Sequence, residues 1–132
     1  MAKPLPPAVR KLLEGKNIAH VATLMRDGSP QVTAVWVDVE GDRILVNTAE
    51  GRAKPRNVRR DPRVAISITD TETPEVAAFI RGRVVEITSD GAAEHIDKLS
   101  RKYRGSPFEH RPGQQRLVLA IEADHISGQG ID

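Results

Sequence analysis

Residues Gly28–Ser67, GSPQVTAVWVDVEGDRILVNTAEGRAKPRNVRRDPRVAIS, carry the pattern that decides the fold. The front half is strand-like: Gln31–Val39 is rich in valine, and Thr33 and Trp36 add β propensity. Glu40-Gly41-Asp42 makes a tight turn, and Arg43–Thr48 reads as the next strand. The rhythm then breaks. Ala49–Arg63 has almost no apolar residues and a dense set of basic ones. Pro55 suits the first turn of a helix, where its missing N–H costs nothing. Asp61-Pro62 ends that helix, because the residue before a proline is pushed out of the α region. Val64–Thr69 alternates again as a strand.

Working outward, Ala8–Glu14 places Val9, Leu12 and Leu13 on one helix face and stops at Gly15. Ile18–Met25 reads as a strand whose blurred alternation implies burial on both faces, and Arg26-Asp27-Gly28-Ser29 is a hairpin signal. The first three strands, joined by two short turns, are expected to form an antiparallel meander. Downstream, Asp70–Glu75 is a polar loop, and Val76–Ile87 is a long strand in which Gly82 marks a bend or bulge. Asp90 is placed to cap a helix running to about Tyr103, with Ala92, Ile96, Leu99 and Tyr103 as its apolar stripe. A polar loop, Gly105–Gln114, leads to a last strand, Arg116–Ile126, and a glycine-rich tail. The expectation is a mainly β chain, a six-stranded antiparallel barrel with short helices, filling residues 1–132 as one domain.

Composition narrows the function classes. The chain has no cysteine, which excludes disulfides, thiolate catalysis and cysteine-held metals. The four histidines (His20, His95, His110 and His125) are too scattered to predict a metal pair, so no metal site is expected. A formal charge of +2 is far from that of a dedicated nucleic-acid binder. No stretch has the length of a membrane span or the apolar core of a signal peptide, so a cytoplasmic protein without membrane or nucleic-acid partners is expected. No serine or acid falls in a recognisable triad or carboxylate pair, and no catalytic residue is assigned.

What remains is the strand ending in Asn47-Thr48, a glycine turn, then Arg52, Lys54, Arg56 and Asn57 opening a helix. A helix N-terminus offers free N–H groups and the positive end of its dipole. Arg52 and Lys54 add full charges there, Thr48 adds a hydroxyl donor, and Gly51 permits close backbone approach. This is a phosphate-binding pattern. Charge density alone is equally well served by a solvated basic helix face.

Read together, these features resemble the pyridoxamine-phosphate-oxidase-like, FMN-binding split-barrel superfamily, and within it the branch of small oxidoreductases that use the deazaflavin coenzyme F-420. The matching residues are Gly28 and Pro30, strand residues Gln31–Trp36, Gly41-Asp42, Asn47-Thr48, Lys54, Arg56-Asn57 and Arg60–Val64. Arg81–Val84 and Leu117–Ile126 match further strands. The resemblance implies a homodimer with the cofactor at its interface. Thr48, Arg52, Ala53, Lys54 and Asn57 would surround the cofactor phosphate, Asn47 and Gly51 would also belong to the cofactor site, and Pro30, Gln31, Val32 and Thr33 would lie along the ring. Tyr103, His110, Arg111 and the tail are the candidates for contacts across the dimer.

Two departures bear on the cofactor. Proline stands at position 55, where a small or branched residue is expected. The FMN-using oxidases tend to carry an arginine on the second strand, where this chain reads Gln31-Val32-Thr33-Ala34. One fewer charged ligand favours F-420 over FMN. The implied reaction is hydride transfer from reduced F-420 to an electron-poor conjugated or quinone-like small molecule. The competing readings are an FMN-dependent oxidase and a non-catalytic barrel that binds F-420 or haem, for which His125 is the one weakly placed ligand. Of the other residues, Trp36 suits either a pocket wall or the core. His20 reads as buried structure and His95 as solvated. The cluster Arg59-Arg60-Arg63 reads as solvated or as a polyanion site.

Overall fold

The computed structural model describes residues 2–131. Its element order is α1 (Pro7–Glu14), β1 (Ala19–Leu24), β2 (Pro30–Val35), β3 (Asp38–Glu40), β4 (Arg43–Ala49), α2 (Ala53–Arg60), β5 (Arg63–Thr69), β6 (Ala77–Thr88), α3 (Ala92–Arg104) and β7 (Arg116–Gln129). The seven strands form one antiparallel sheet in the order β2-β1-β5-β6-β7-β4-β3.

That order corrects two expectations. The stretch Gln31–Val39 is two strands rather than one, broken at Trp36-Val37, so the described residues form seven strands and not six. The expected meander is also split: both of its hairpins form, but at opposite edges of the sheet. β2 pairs with β1 at one edge of the sheet, whereas β3 pairs with β4 at the other. Seven strands laid flat would separate the two edges by roughly 29 Å at the usual strand spacing. Yet only Trp36 and Val37 lie between Val35 and Asp38, a link of at most roughly 11 Å. The sheet must therefore curl until its edges nearly meet, and this link is where the barrel closes.

Alternation supplies the filling. Val21, Ile44, Val46, Ile66, Ile68, Ile80, Leu119 and Ile121 point inward and are buried, and α1 adds Val9, Leu12 and Leu13 to the same core. In β1 the burial alternates cleanly, with Ala19, Val21 and Thr23 inside and His20 outside. The reading of His20 as buried is thus corrected: a half-buried antiparallel strand leaves one face to solvent.

β6 and β7 are the longest strands, and their register shifts at Arg81/Gly82 and again at Val84/Glu86. Gly82 is required there. A Cβ at this position would overlap the Glu122 carbonyl oxygen of β7 and approach Ala123 Cα to 3.3 Å. The N-cap of α3 is Gly91, with φ 70° and no side-chain hydrogen bond, so Asp90 does not cap the helix. Its stripe, Ile96, Leu99 and Tyr103, forms a second small core with Trp36 and Phe108.

Candidate functional site

A cavity of about 620 Å³ opens where β2, the end of β4, the start of α2, α3 and the start of β7 converge. One part of its wall is apolar: Ile18, Val35, Trp36, Ile96, Leu99 and Phe108. The remainder carries Gln31, Thr33, Asn47, Thr48, Arg52, Lys54 and Arg116, and no carboxylate lines it among the described residues.

Each wall has a local cause. Trp36 occupies the link that closes the barrel and stacks on Tyr103, ring centroids 5.5 Å apart and planes 6° from parallel. Tyr103 is fixed in turn: its hydroxyl donates to the Asn17 carbonyl (2.6 Å) and accepts from the Val37 N–H (3.2 Å). Burial pushes the phenol's pKa up, which keeps that donor protonated. Trp36 is therefore both core and wall. On the polar side, α2 starts at Ala53 with Arg52 as N-cap and neither a capping side chain nor an acid in its first turn. Its first N–H groups and its dipole are thus left uncompensated by any anionic side chain.

The charges are held in poor solvent. Burial, with Arg52 nearby, lowers the Lys54 pKa. Burial and Arg52 likewise lower that of Arg116, to about 10, which leaves it charged at neutral pH. Two hydroxyls, Thr33 Oγ1 and Thr48 Oγ1, are buried with no hydrogen-bond partner. Such orphans are costly unless a ligand completes them. A cavity with three cations, two unsatisfied hydroxyls and an aromatic wall suits a flat apolar molecule carrying an anionic group.

Of the residues that the sequence put forward, the structure brings Gln31, Thr33, Asn47, Thr48, Arg52, Ala53 and Lys54 to this cavity. Four it does not. Pro30 borders a separate groove with Arg63 and Gly82. Val32 points to the opposite face of β2, 63% exposed, because side chains alternate along a strand. Gly51 sits in the turn before α2, with φ 91°, and does not line the cavity. Asn57 is buried and fastens α2 to β1, donating to Thr23 Oγ1 (3.0 Å) and Met25 Sδ (3.4 Å) while accepting from Arg60 Nη2 (2.9 Å).

Other readings shift as well. His95 is not solvated. Its ring is 11% exposed and lies between Asp38 and Asn47. Each member of the arginine cluster has an internal partner: Arg59 with Glu50, Arg60 with Leu24 O and Asn57, Arg63 with Asp61. His110 packs edge-on to Phe108 at the exposed end of that loop, and His125 lies with His20 and Phe79 on the outer sheet face. Sequence reasoning missed Arg116, Phe108, Ile96 and Ile18 as wall residues. Only for Arg116 was there a signal, a lone cation opening the apolar run Leu117–Ile121.

A family model described as pyridoxamine 5'-phosphate oxidase matches residues 5–130. The chain belongs to that family. Among solved structures it is similar to an F-420 reductase, with 30% identity over 89% of this chain and 94% of that one and a TM-score of 0.81. It also shares its fold with General Stress Protein 26 of Bacillus anthracis: 17% identity, 92% of this chain and 91% of that one, TM-score 0.71. Group A Streptococcus HupZ is a third such structure, at 21% identity, 92% and 91% coverage, and a TM-score of 0.66. The last two likenesses speak for the fold alone. Among the described residues no helix is long and apolar enough to cross a membrane.

Proposed function

We propose that this family member is an oxidoreductase that binds coenzyme F-420 in the cavity between β2, α2 and α3, as a homodimer. The observation that carries the reading is the pairing of an aromatic wall, Trp36 and Phe108, with a carboxylate-free set of cations and two unpartnered hydroxyls. The likeness to an F-420 reductase over 89% of the chain supports the choice of deazaflavin.

In this reading Arg52, Lys54 and Thr48 hold the anionic group of the cofactor, with the N–H groups that open α2. Trp36, Phe108, Ile18 and Ile96 exclude water from its ring system, and Gln31 and Thr33 supply polar contacts along β2. When bound, the reduced deazaflavin supplies a hydride to an electron-poor conjugated or quinone-like molecule. The protein contributes binding, orientation and a dry environment, and such a site needs no nucleophile. The exposed apolar pair Val32 (63%) and Phe79 (42%) on the outer sheet face is the surface assigned to the second copy.

The absence of an arginine from β2 no longer argues against FMN, because Arg116 brings a charge into the cavity from β7. The deciding experiment is a titration of the purified protein with F-420 and, separately, with FMN, following Trp36 fluorescence. Quenching by F-420 at lower concentration than by FMN is expected. Tighter binding of FMN moves the protein to the oxidase reading, and binding of neither overturns both.

A further inference from the structure

Arg116 is 8% exposed and has no ion pair among the described residues. Its guanidinium lies over the Phe108 ring, 5.1 Å from the centroid. Nε donates to Asn47 Oδ1 (2.9 Å) and Nη1 to Gln114 Oε1 (3.1 Å), both neutral amides. Of the five donors of a guanidinium, those on Nη2 meet no acceptor among the described residues. A buried charge answered only by amides is costly, and an arriving anion would relieve that cost.

Asn47 is the other half of the arrangement. Its Nδ2 donates to the Ala92 carbonyl (2.9 Å), which can only accept, so the amide has one orientation. Arg116 Nε, which can only donate, requires the same orientation. The second Nδ2 proton then points at His95 Nδ1 (3.1 Å), which must be the bare nitrogen of the ring. The His95 proton is on Nε2, facing Asp38 Oδ2 (3.2 Å), a carboxylate that also receives the Val39 N–H (2.9 Å) and Lys98 (3.1 Å). From Asp38 to Arg116 each donor meets an acceptor, and each link fixes the next. Asn47 has both its Nδ2 protons committed and none left for a ligand.

We propose that Arg116 is an anion-binding residue of the cavity and that Asn47, held by His95 and Ala92, is a positioning residue rather than a ligand. The proposal deepens the cofactor reading and rests on it for the identity of the anion, but its test uses inorganic phosphate. The full chain, labelled with ¹⁵N, is titrated with phosphate while the Arg116 Nε–H resonance is followed. The Arg43 Nε–H, paired with Glu122 at the far end of β4, serves as the internal control.

The Arg116 signal is expected to exchange slowly and to shift with phosphate while that of Arg43 stays in place. Arg116→Gln lowers phosphate affinity at least tenfold, and Arg116→Lys, which keeps the charge but loses the planar fork, restores part of it. Asn47→Leu speeds exchange of the Arg116 Nε–H and weakens phosphate at least threefold. An Arg116 resonance unmoved by saturating phosphate overturns the proposal, as does Arg116→Gln binding phosphate like the wild type. Should that variant fail to fold by circular dichroism, the wild-type titration decides alone. Phosphate shifts without F-420 binding would overturn the cofactor reading and uphold this one; F-420 binding with Arg116 unmoved does the reverse.

Discussion

Replacing Tyr103 with phenylalanine removes one oxygen from the place where the barrel closes. That oxygen serves two backbone groups at once, taking the Val37 N–H and giving its proton to the Asn17 carbonyl. Val37 is 0% and Asn17 7% exposed, so water does not readily replace the lost partner. A buried group left unsatisfied costs about 1–3 kcal/mol. With two such groups, each taken in the lower half of that range, the expected loss is about 2–4 kcal/mol. For a chain of this size each kcal/mol moves Tm by about 3–5 °C, so Tyr103→Phe melts about 10 °C early. The assay is thermal and urea unfolding followed by circular dichroism, with Trp36 emission as a control. The aromatic ring remains, so the stacking partner of Trp36 is kept and native emission is unchanged. A loss under about 0.5 kcal/mol would refute the reasoning, because it would mean that Val37 and Asn17 find partners elsewhere.

Three further outcomes are expected. Gly82→Ala forces β6 and β7 apart at their bulge, since the new Cβ overlaps the Glu122 carbonyl oxygen; the urea midpoint should report a loss of about 3 kcal/mol, at the upper end of overpacking costs. Thr48→Val removes an unpartnered buried hydroxyl, so the free protein is expected to hold or gain up to about 1 kcal/mol while cofactor binding, followed by fluorescence, weakens several-fold. Asp38 is raised by burial, but hydrogen bonds from His95, Val39 N–H and Lys98 outweigh that and hold its carboxyl well below the usual range. A depressed carboxylate stabilises the fold above the unfolded value, about pH 4, and that share drains away as pH falls from about 5. Unfolding midpoints measured from pH 7 to pH 3 should therefore fall less steeply in Asp38→Asn than in the wild type.

Local chemistry made much of this protein legible from its residues. Gly15 and Asp61-Pro62 stop their helices, Gly82 marks the bulge, and the Ile96-Leu99-Tyr103 stripe faces inward, because each depends on neighbours within a few residues. The basic opening of α2 and its approach to Thr48 could also be read, since a short turn joins them. The two hairpins could be read from their turns, but the order of the strands across the sheet could not. Gln31–Val39 has the composition of one strand, and only barrel closure breaks it at Trp36 and sends its halves to opposite sheet edges. The same closure decides which side of β2 faces the cavity, and so puts Thr33 in the site and Val32 outside it. Asn57 has the spacing of a ligand, yet tertiary packing turns it onto Thr23. Arg116, distant from the basic segment in sequence, enters the site only because β7 pairs with β4, and His95 reaches Asn47 only because α3 lies across β4. Sequence determines what each segment prefers; which segments meet, and hence which charge is buried beside which amide, is settled when the sheet closes.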